Sequence, residues 1–462
     1  MSAPAPASRH ASPAELLALC ERAVARARAH GAAQADACAE GSRAFTVRVH
    51  GGTIETLKQS GTLGVGVRAM VGDAVGFASG TDLSPGGLDD LARRAVALAR
   101  FATPDEANAV PGPAEAGEPP PADLELHDPA ALELTAERKI AMALELERLA
   151  RAADPRVTRS DGASVSSAGG AFALVNSRGV ARAWQGTSVS AWVVVLADDR
   201  DGRQQTGVEG MSVRRLADLA PLEDMARRAA KRAVSRIGAR PVPSARVPVV
   251  MHPDIAGAWV SEMAEAWSGE AVLKQSSWLT GKLGETIASP RVTLVDDGTL
   301  PRRVGSSPCD GEGVRARRNV LVERGRLAMF LYDHYHARRA RRASTGSGLR
   351  GWSGTPAIGT HNLYLEPGDE SPEAILRRVD CGFYYDDQGS FGLNPVTGDY
   401  SFQAQGHWIE KGELVHPVDG VTVAGNSLDM LRAIEAVGND LTWKSSFAAP
   451  TLLIGEMTVS GR

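Results

Sequence analysis

Val247-Pro248-Val249-Val250-Met251-His252-Pro253-Asp254-Ile255-Ala256-Gly257-Ala258-Trp259-Val260-Ser261-Glu262-Met263-Ala264-Glu265-Ala266-Trp267-Ser268-Gly269 is the stretch on which the reading turns. Its first five residues are a short apolar run, read as a buried strand. Beyond them Ile255, Trp259, Val260, Met263 and Trp267 recur at three- and four-residue spacings. That period predicts a helix from about Asp254 to Ser268 with one buried face. Ser261, Glu262, Glu265 and Ser268 fall on the other face. Taken alone, this is an amphipathic helix with two solvated glutamates. A carboxylate pair set for acid–base work needs a cleft and an oriented partner, and the stretch supplies neither.

Downstream the sequence alternates as β structure does: 292–295, 319–322, 327–331, 360–365, 382–385, 399–409 and 451–459, with short helices near 372–377 and 427–434. Upstream, Arg240-Pro241-Val242-Pro243-Ser244 marks a boundary. Before it, residues 1–11 read as a disordered tail. Ser12-Pro13-Ala14-Glu15 reads as a capping box with proline at the first helical position. Short strands follow at 35–39, 44–49, 53–57, 63–71 and 74–78, with turn signals at Gly51-Gly52, Ser60-Gly61 and Gly72-Asp73. A helix starts at Ser84-Pro85, a flexible Pro- and Ala-rich loop covers 103–123, and a further helix spans about 133–152. Strands at 163–167, 172–176, 181–196 and 204–213 and a basic-faced helix at 217–237 close this half. The expected fold is α+β. An N-terminal α/β domain over 12–240, an antiparallel or mixed sheet with packed helices, precedes a large, mostly antiparallel β domain over 245–462.

The 462 residues carry a net charge of −4, so no overall field draws the chain to nucleic acid or to an anionic membrane. Only seven of the 51 basic residues are lysine, a bias of a GC-rich genome more than of a function. Cys20, Cys38, Cys309 and Cys381 form no CxxC pair, which argues against a disulfide framework. Without a signal peptide or an apolar run of about 20 residues, a cytoplasmic protein is expected. There is no GxSxG elbow and no RNA-stacking motif. Trp184, Trp192, Trp259, Trp267 and Trp278 are most simply core residues.

The stretch and the segments downstream of it (Lys282-Leu283-Gly284-Glu285, Val295-Asp296-Asp297, Asp310-Gly311-Glu312-Gly313, Ser344-Thr345-Gly346) resemble the TldD/TldE (PmbA) family of paired metallopeptidases. The resemblance covers about residues 35–462. In the catalytic member it implies a His-Glu-x-x-x-His zinc motif on the 253–269 helix. Registered by length, the motif's ends fall on Ser261 and Ala266, with Glu262 following the first. Registered by the downstream glycine, they fall on Val260 and Glu265. Neither register supplies an imidazole. Histidines five apart stand about 140° apart on an ideal helix, so the active member must distort this helix and the present chain need not. The catalytic subunits also place a cysteine ligand before the last strand, where this chain has Ser445-Ser446-Phe447-Ala448-Ala449-Pro450. A zinc site needs at least three protein ligands.

The resemblance therefore implies a TldE-like subunit with no catalytic residue and no metal of its own. It would pair as a heterodimer with a zinc-bearing TldD-like partner that hydrolyses peptides, and would offer a wall or strand edge to an extended substrate. Two alternatives stand beside it. Asp333, His334 and His336, with both histidines on one face of an extended segment, would be a metal site outside the family pattern. The Arg338–Arg342 patch would serve a non-enzymatic binding protein. Arg338, Arg339, Ser344, Thr345 and Gly346 are the candidate substrate or partner contacts. Gly346-Ser347-Gly348-Leu349-Arg350-Gly351 matches GxGxxG literally but lacks the preceding strand that a phosphate loop needs.

Overall fold

A computed structural model describes residues 11–119 and 123–461; the expected tail therefore lies outside the described residues except for Ala11. Helix α1 (Pro13–Ala29) opens on the expected capping box, with the Ser12 side chain accepting from the Glu15 N–H and Glu15 reaching back to the Ser12 backbone. Three antiparallel strands follow: β1 (Gln34–His50), β2 (Thr53–Val71) and β3 (Ala74–Gly80). Then come α2 (Pro85–Ala99), the short α3 (Pro113–Ala116) and α4 (Pro129–Glu133), and α5 (Ala136–Ala152). Strands β4 (Val157–Asn176), β5 (Ala181–Asp198) and β6 (Gln204–Val213) and helix α6 (Leu222–Ser235) complete the half. The six strands form one antiparallel sheet in the order β3-β2-β1-β4-β5-β6.

The sequence breaks this sheet into more pieces than exist. Residues 35–39 and 44–49 are one strand, as are 53–57 with 63–71 and 163–167 with 172–176. Ser60-Gly61 is no turn: Gly61 stays extended opposite Arg43 of β1, because a neighbouring strand satisfies its backbone on the ladder. The helix expected from about residue 133 also divides, since Thr135 caps a fresh start at Ala136.

Strand periodicity sorts the sheet into two faces. Odd-numbered residues such as Val47, Val67, Ala173 and Val193 are buried beneath α1, α2, α5 and α6. The even-numbered residues of the opposite face include many small ones, Ser42 and Ala44 on β1, Ser166 and Gly170 on β4, Ser188 and Ser190 on β5, Gly210 and Ser212 on β6, beside the larger Phe172, Trp184 and Trp192. This face looks toward the second half of the chain.

That half starts at β7 (Ala245–Met251), which runs into α7 (Pro253–Glu262) and α8 (Gly269–Leu273). A five-stranded sheet holds β8 (Leu294–Asp297), β9 (Arg318–Glu323) and β10 (Arg326–Leu327). Helix α9 (His334–Arg339) and a two-stranded ribbon, β11 (Gly348–Leu349) with β12 (Ala357–Ile358), precede β13 (Leu363–Leu365) of that same sheet. The long strands β14 (Cys381–Leu393), β15 (Asp399–Glu410) and β16 (Glu413–Asn426) are followed by β17 (Ile434–Val437), β18 (Phe447–Ala448) and β19 (Leu452–Ser460). The order β16-β15-β14-β7-β19 closes on itself because β16 also pairs with β19. Pairing is antiparallel except for β7 with β14 and β13 with β18. The α+β reading holds.

The helix that decides the reading is shorter than its sequence period. It ends at Glu262 instead of about Ser268, and a single 3₁₀ turn (Ala264–Trp267) takes over. Two contacts force the break. Gly269 lies against the Tyr332 ring, so closely that a β-carbon there would overlap it, and the Gly269 N–H donates to Leu331 O. Trp259 and Trp267 are fully buried and Trp267 meets Trp278 edge-to-face at 5.8 Å. Each indole buries roughly 200 Å², on the order of 5 kcal/mol apiece. Packing, not metal binding, distorts this helix. The same packing buries Ser268, expected on the solvent face.

Candidate functional site

A cleft of about 340 Å³ opens where α7 meets the edge of the first sheet and the segment 442–448. Asp254, Gly257, Ala258 and Ser261 line it from α7, a spacing that makes one stripe of the helix. Opposite them stand Lys444, Ser445 and Phe447, and β5 and β6 add Trp192, Val208, Glu209 and Gly210. Gly257 faces the segment closely: a β-carbon there would sit in ordinary contact, 3.6 Å from the Ala448 Cα.

The charges in this cleft are tied together. The Lys444 ammonium lies 3.0 Å from Glu209 Oε2 and 3.1 Å from Asp254 Oδ2. Arg232 of α6 pairs with Asp254 and lies 3.6 Å from Glu209, which Arg228 also approaches at 3.3 Å. Burial would raise the Asp254 pKa, but Arg232, then His252 and Lys444, hold it down at about 2. Burial pushes His252 below its usual pKa; its Nδ1 accepts from the Asp254 N–H at 3.1 Å, capping α7.

Of the five positions matched to the zinc motif, only Ser261 reaches the cleft. Val260 and Ala266 are core residues, whereas Glu262 and Glu265 are exposed. On the facing segment 445–450, Ser445, Phe447 and Ala448 line the cleft. Its two carboxylates already carry guanidinium and ammonium partners, and it contains no imidazole or thiol. This donor set does not fit zinc, which takes neutral imidazole, thiolate or free carboxylate. Nowhere among the described residues do three or more His, Cys, Asp or Glu side chains stand together as a metal site would need.

The Asp333-His334-Tyr335-His336 segment is helical instead of extended. Asp333 caps α9, its Oδ1 accepting from the His336 N–H at 2.7 Å and lying 2.9 Å from His336 Nδ1. Residues two apart on a helix stand about 200° apart, so the two imidazoles diverge. His334 is buried, with no hydrogen-bond partner at Nε2 among the described residues.

Arg338 donates to the carbonyls of Ala107 and Glu106, and Arg339 pairs with Asp105 at 2.9 Å. The patch thereby pins residues 105–107 of the expected loop, part of which (120–122) lies outside the described residues. Ser344, Thr345 and Gly346 form a buried turn: Thr345 Oγ1 accepts from the Tyr332 N–H at 2.7 Å, and Gly346 has φ +72°. The GxGxxG stretch enters the β11–β12 ribbon and not a helix, with the Gly348 N–H donating to Asp310 Oδ2 at 2.8 Å.

That aspartate belongs to a buried network joining the two halves. Arg68 of β2 contacts Asp36 of β1 and Glu312, while Arg350 donates to Asp36 Oδ1 at 2.9 Å. Glu312 Oε2 accepts from the His334 N–H at 2.7 Å. Burial, reinforced by Glu312, pushes Asp310 up to about 7. Asp310 and Glu312 stand out in the sequence; Asp36 and Arg68, more than 200 residues away, do not. Glu209, Arg232 and Lys444 give no sequence signal as site residues either. Trp192, expected in the core, is 40% exposed and lines the cleft.

Comparison with known proteins agrees with this architecture. Three family models match in succession: PmbA/TldA metallopeptidase domain 1 over residues 35–99, the central domain over 129–237 and the C-terminal domain over 244–461. The metalloprotease PmbA of Escherichia coli O157:H7 is 29% identical over 418 residues, 90% of each chain. A PmbA homologue of Haemophilus influenzae is 30% identical over 409 residues, 88% of each. A TldD homologue of the same organism is 30% identical over 388 residues, covering 81% of this chain and 79% of its own. Among solved structures, TldE from Thermococcus kodakarensis superposes with a TM-score of 0.87 at 24% identity, covering 96% of this chain and 99% of its own; it shares the fold. The chain belongs to the PmbA/TldD metallopeptidase family.

Proposed function

We propose that this chain is the TldE/PmbA-like, zinc-free subunit of a paired metallopeptidase, working in the cytoplasm beside a TldD-like subunit that carries the zinc. One observation carries the reading. The helix face and the facing segment where the family's catalytic subunits hold His-Glu-x-x-x-His and cysteine present Ser261 and Ser445 to the cleft, between a lysine and an arginine already bound to carboxylates. The substrates would be unfolded or modified peptides, which an extended strand edge accepts with little regard to sequence.

The experiment combines the pure chain with a His-Glu-x-x-x-His family member and follows zinc content and peptide hydrolysis. The chain alone should be inactive and substoichiometric in zinc, and activity should arise in the mixture with the metal on the other subunit. Hydrolysis by the isolated chain that a chelator abolishes would overturn the assignment.

A further inference from the structure

The first sheet carries a separate trough of about 340 Å³, with no residue of α7 in its lining. Its floor is made by β1, β4 and β5, where Ser42, Gly170 and Gly186 stand in one cross-strand row. The next row is large: Glu40, Phe172 and Trp184, with the two ring centroids 4.6 Å apart. Small side chains in one row and aromatic ones in the next leave an apolar wall beside a bare floor.

Arg214 reaches over the other side of that floor. A β-carbon at Gly186 would lie 3.0 Å from its Nη1, so glycine there lets the guanidinium lie across β5. Arginine has five N–H donors. Here Nε donates to Arg303 O at 3.2 Å, Nη2 to the carbonyls of Val304 and Ser306, and Nη1 to Thr187 O at 3.3 Å. The second Nη1 hydrogen has no acceptor among the described residues, and no carboxylate there pairs with this cation. Burial acts on its pKa unopposed and pushes it down. At the opposite corner Glu40 is half-buried, with no cationic partner among the described residues; burial pushes its carboxyl up, against an opposing contact from Ser42.

These two charges stand too far apart to serve each other. Strand β4 separates Glu40 on β1 from the guanidinium over β5, two strand spacings or roughly 10 Å. A charge taken out of water needs a counter-charge, and each of these lacks one on the side of the trough. A ligand with a cation at one end and an anion at the other supplies both. An extended chain advances about 3.5 Å per residue, so a peptide of about three residues with free ends has the span.

We propose that this trough binds short peptides, about three residues long, with both ends free. The carboxylate pairs with Arg214, the ammonium with Glu40, and an aromatic first side chain packs against Phe172 and Trp184. The peptide crosses the strands and forms no ladder with them, so its ends are recognised and its backbone is not. Such peptides are what hydrolysis of a longer chain releases. The site goes beyond the pairing proposed above and does not depend on where the zinc lies.

The test titrates the isolated chain calorimetrically with Phe-Ala-Ala. Saturable binding is expected, weaker by about tenfold or more for acetyl-Phe-Ala-Ala and for Phe-Ala-Ala amide, each of which loses one charge-assisted contact. Glu40→Gln should lower the affinity for Phe-Ala-Ala by a similar factor and leave that for acetyl-Phe-Ala-Ala unchanged, a selectivity that general loss of structure does not produce. Arg214→Gln should likewise cancel the preference for a free carboxylate; if it does not fold, the Glu40→Gln comparison decides. No saturable binding, equal affinity for the blocked peptides or for Ala-Ala-Ala, or wild-type affinity in a folded Glu40→Gln chain overturns the proposal.

Discussion

The Arg68 guanidinium lies 3.0 Å from the Glu312 carboxylate, although β2 and the Asp310–Gly313 turn belong to different halves of the chain. Both side chains are buried, and Arg68 also holds Asp36. A buried ion pair adds little over a well-packed apolar contact, but removing one partner strands the others. Arg68→Met should therefore cost about 3–5 kcal/mol. Urea unfolding followed separately by probes in each half checks it: the two halves should melt apart in the variant, and an unchanged single transition would refute the role.

Trp259 Nε1 donates to Ser427 Oγ at 3.2 Å, and both residues are fully buried. Trp259→Phe loses indole packing and leaves the hydroxyl without its donor, at a cost of about 2–4 kcal/mol. Ser427→Ala alone should cost about 1 kcal/mol. A double-mutant cycle by chemical denaturation should return a coupling of roughly 0.5–1.5 kcal/mol; zero coupling would mean that the bond contributes nothing.

Asp254 titrates at about 2 in the folded chain, below the ordinary carboxylate value, because Arg232, His252 and Lys444 outweigh its burial. Its contribution to stability is complete above about pH 4 and is lost as the pH falls toward 2. With the carboxylate partly exposed, the amount is about 1–2 kcal/mol. The stability gap between wild type and Asp254→Asn should shrink across that window. A gap that stays constant from pH 5 to pH 2 would contradict the pairing.

Because the cleft carries no imidazole or thiol and His334 diverges from His336, a chelator should not change the melting temperature of the isolated chain. Changing His334 and His336 together to alanine should leave its zinc content unaltered. Differential scanning fluorimetry and elemental analysis read the two outcomes.

The fold class and the core face of α7 were legible because Trp259, Val260 and Met263 write a helical period into adjacent sequence. The break after Glu262 was not, since it depends on Tyr332 meeting Gly269 across more than sixty residues. Likewise Ser60-Gly61 carries turn chemistry locally, and only its pairing with β1 keeps it extended. At the candidate site Ser261 could be named because the resemblance singles out its position, and the segment 445–450 because the resemblance expects a cysteine there. Their neighbours could not: Glu209, Arg232 and Lys444 meet only after β6, α6 and the 442–448 segment converge. The His-x-His reading failed for a local reason, the Asp333 cap that winds the segment into a helix.

Strand β7 lies between β14 and β19, so its ladder partners are made more than 130 and 200 residues after it. During synthesis, then, the strand that launches α7 emerges with both edges bare and waits for most of the second half to follow. Because β16 is closed by the same late strand, the barrel cannot form one side at a time. Deleting β19 would leave β7 with one bare edge and β16 without its closing partner, so the closed sheet of this half is completed only when its last strand has been made.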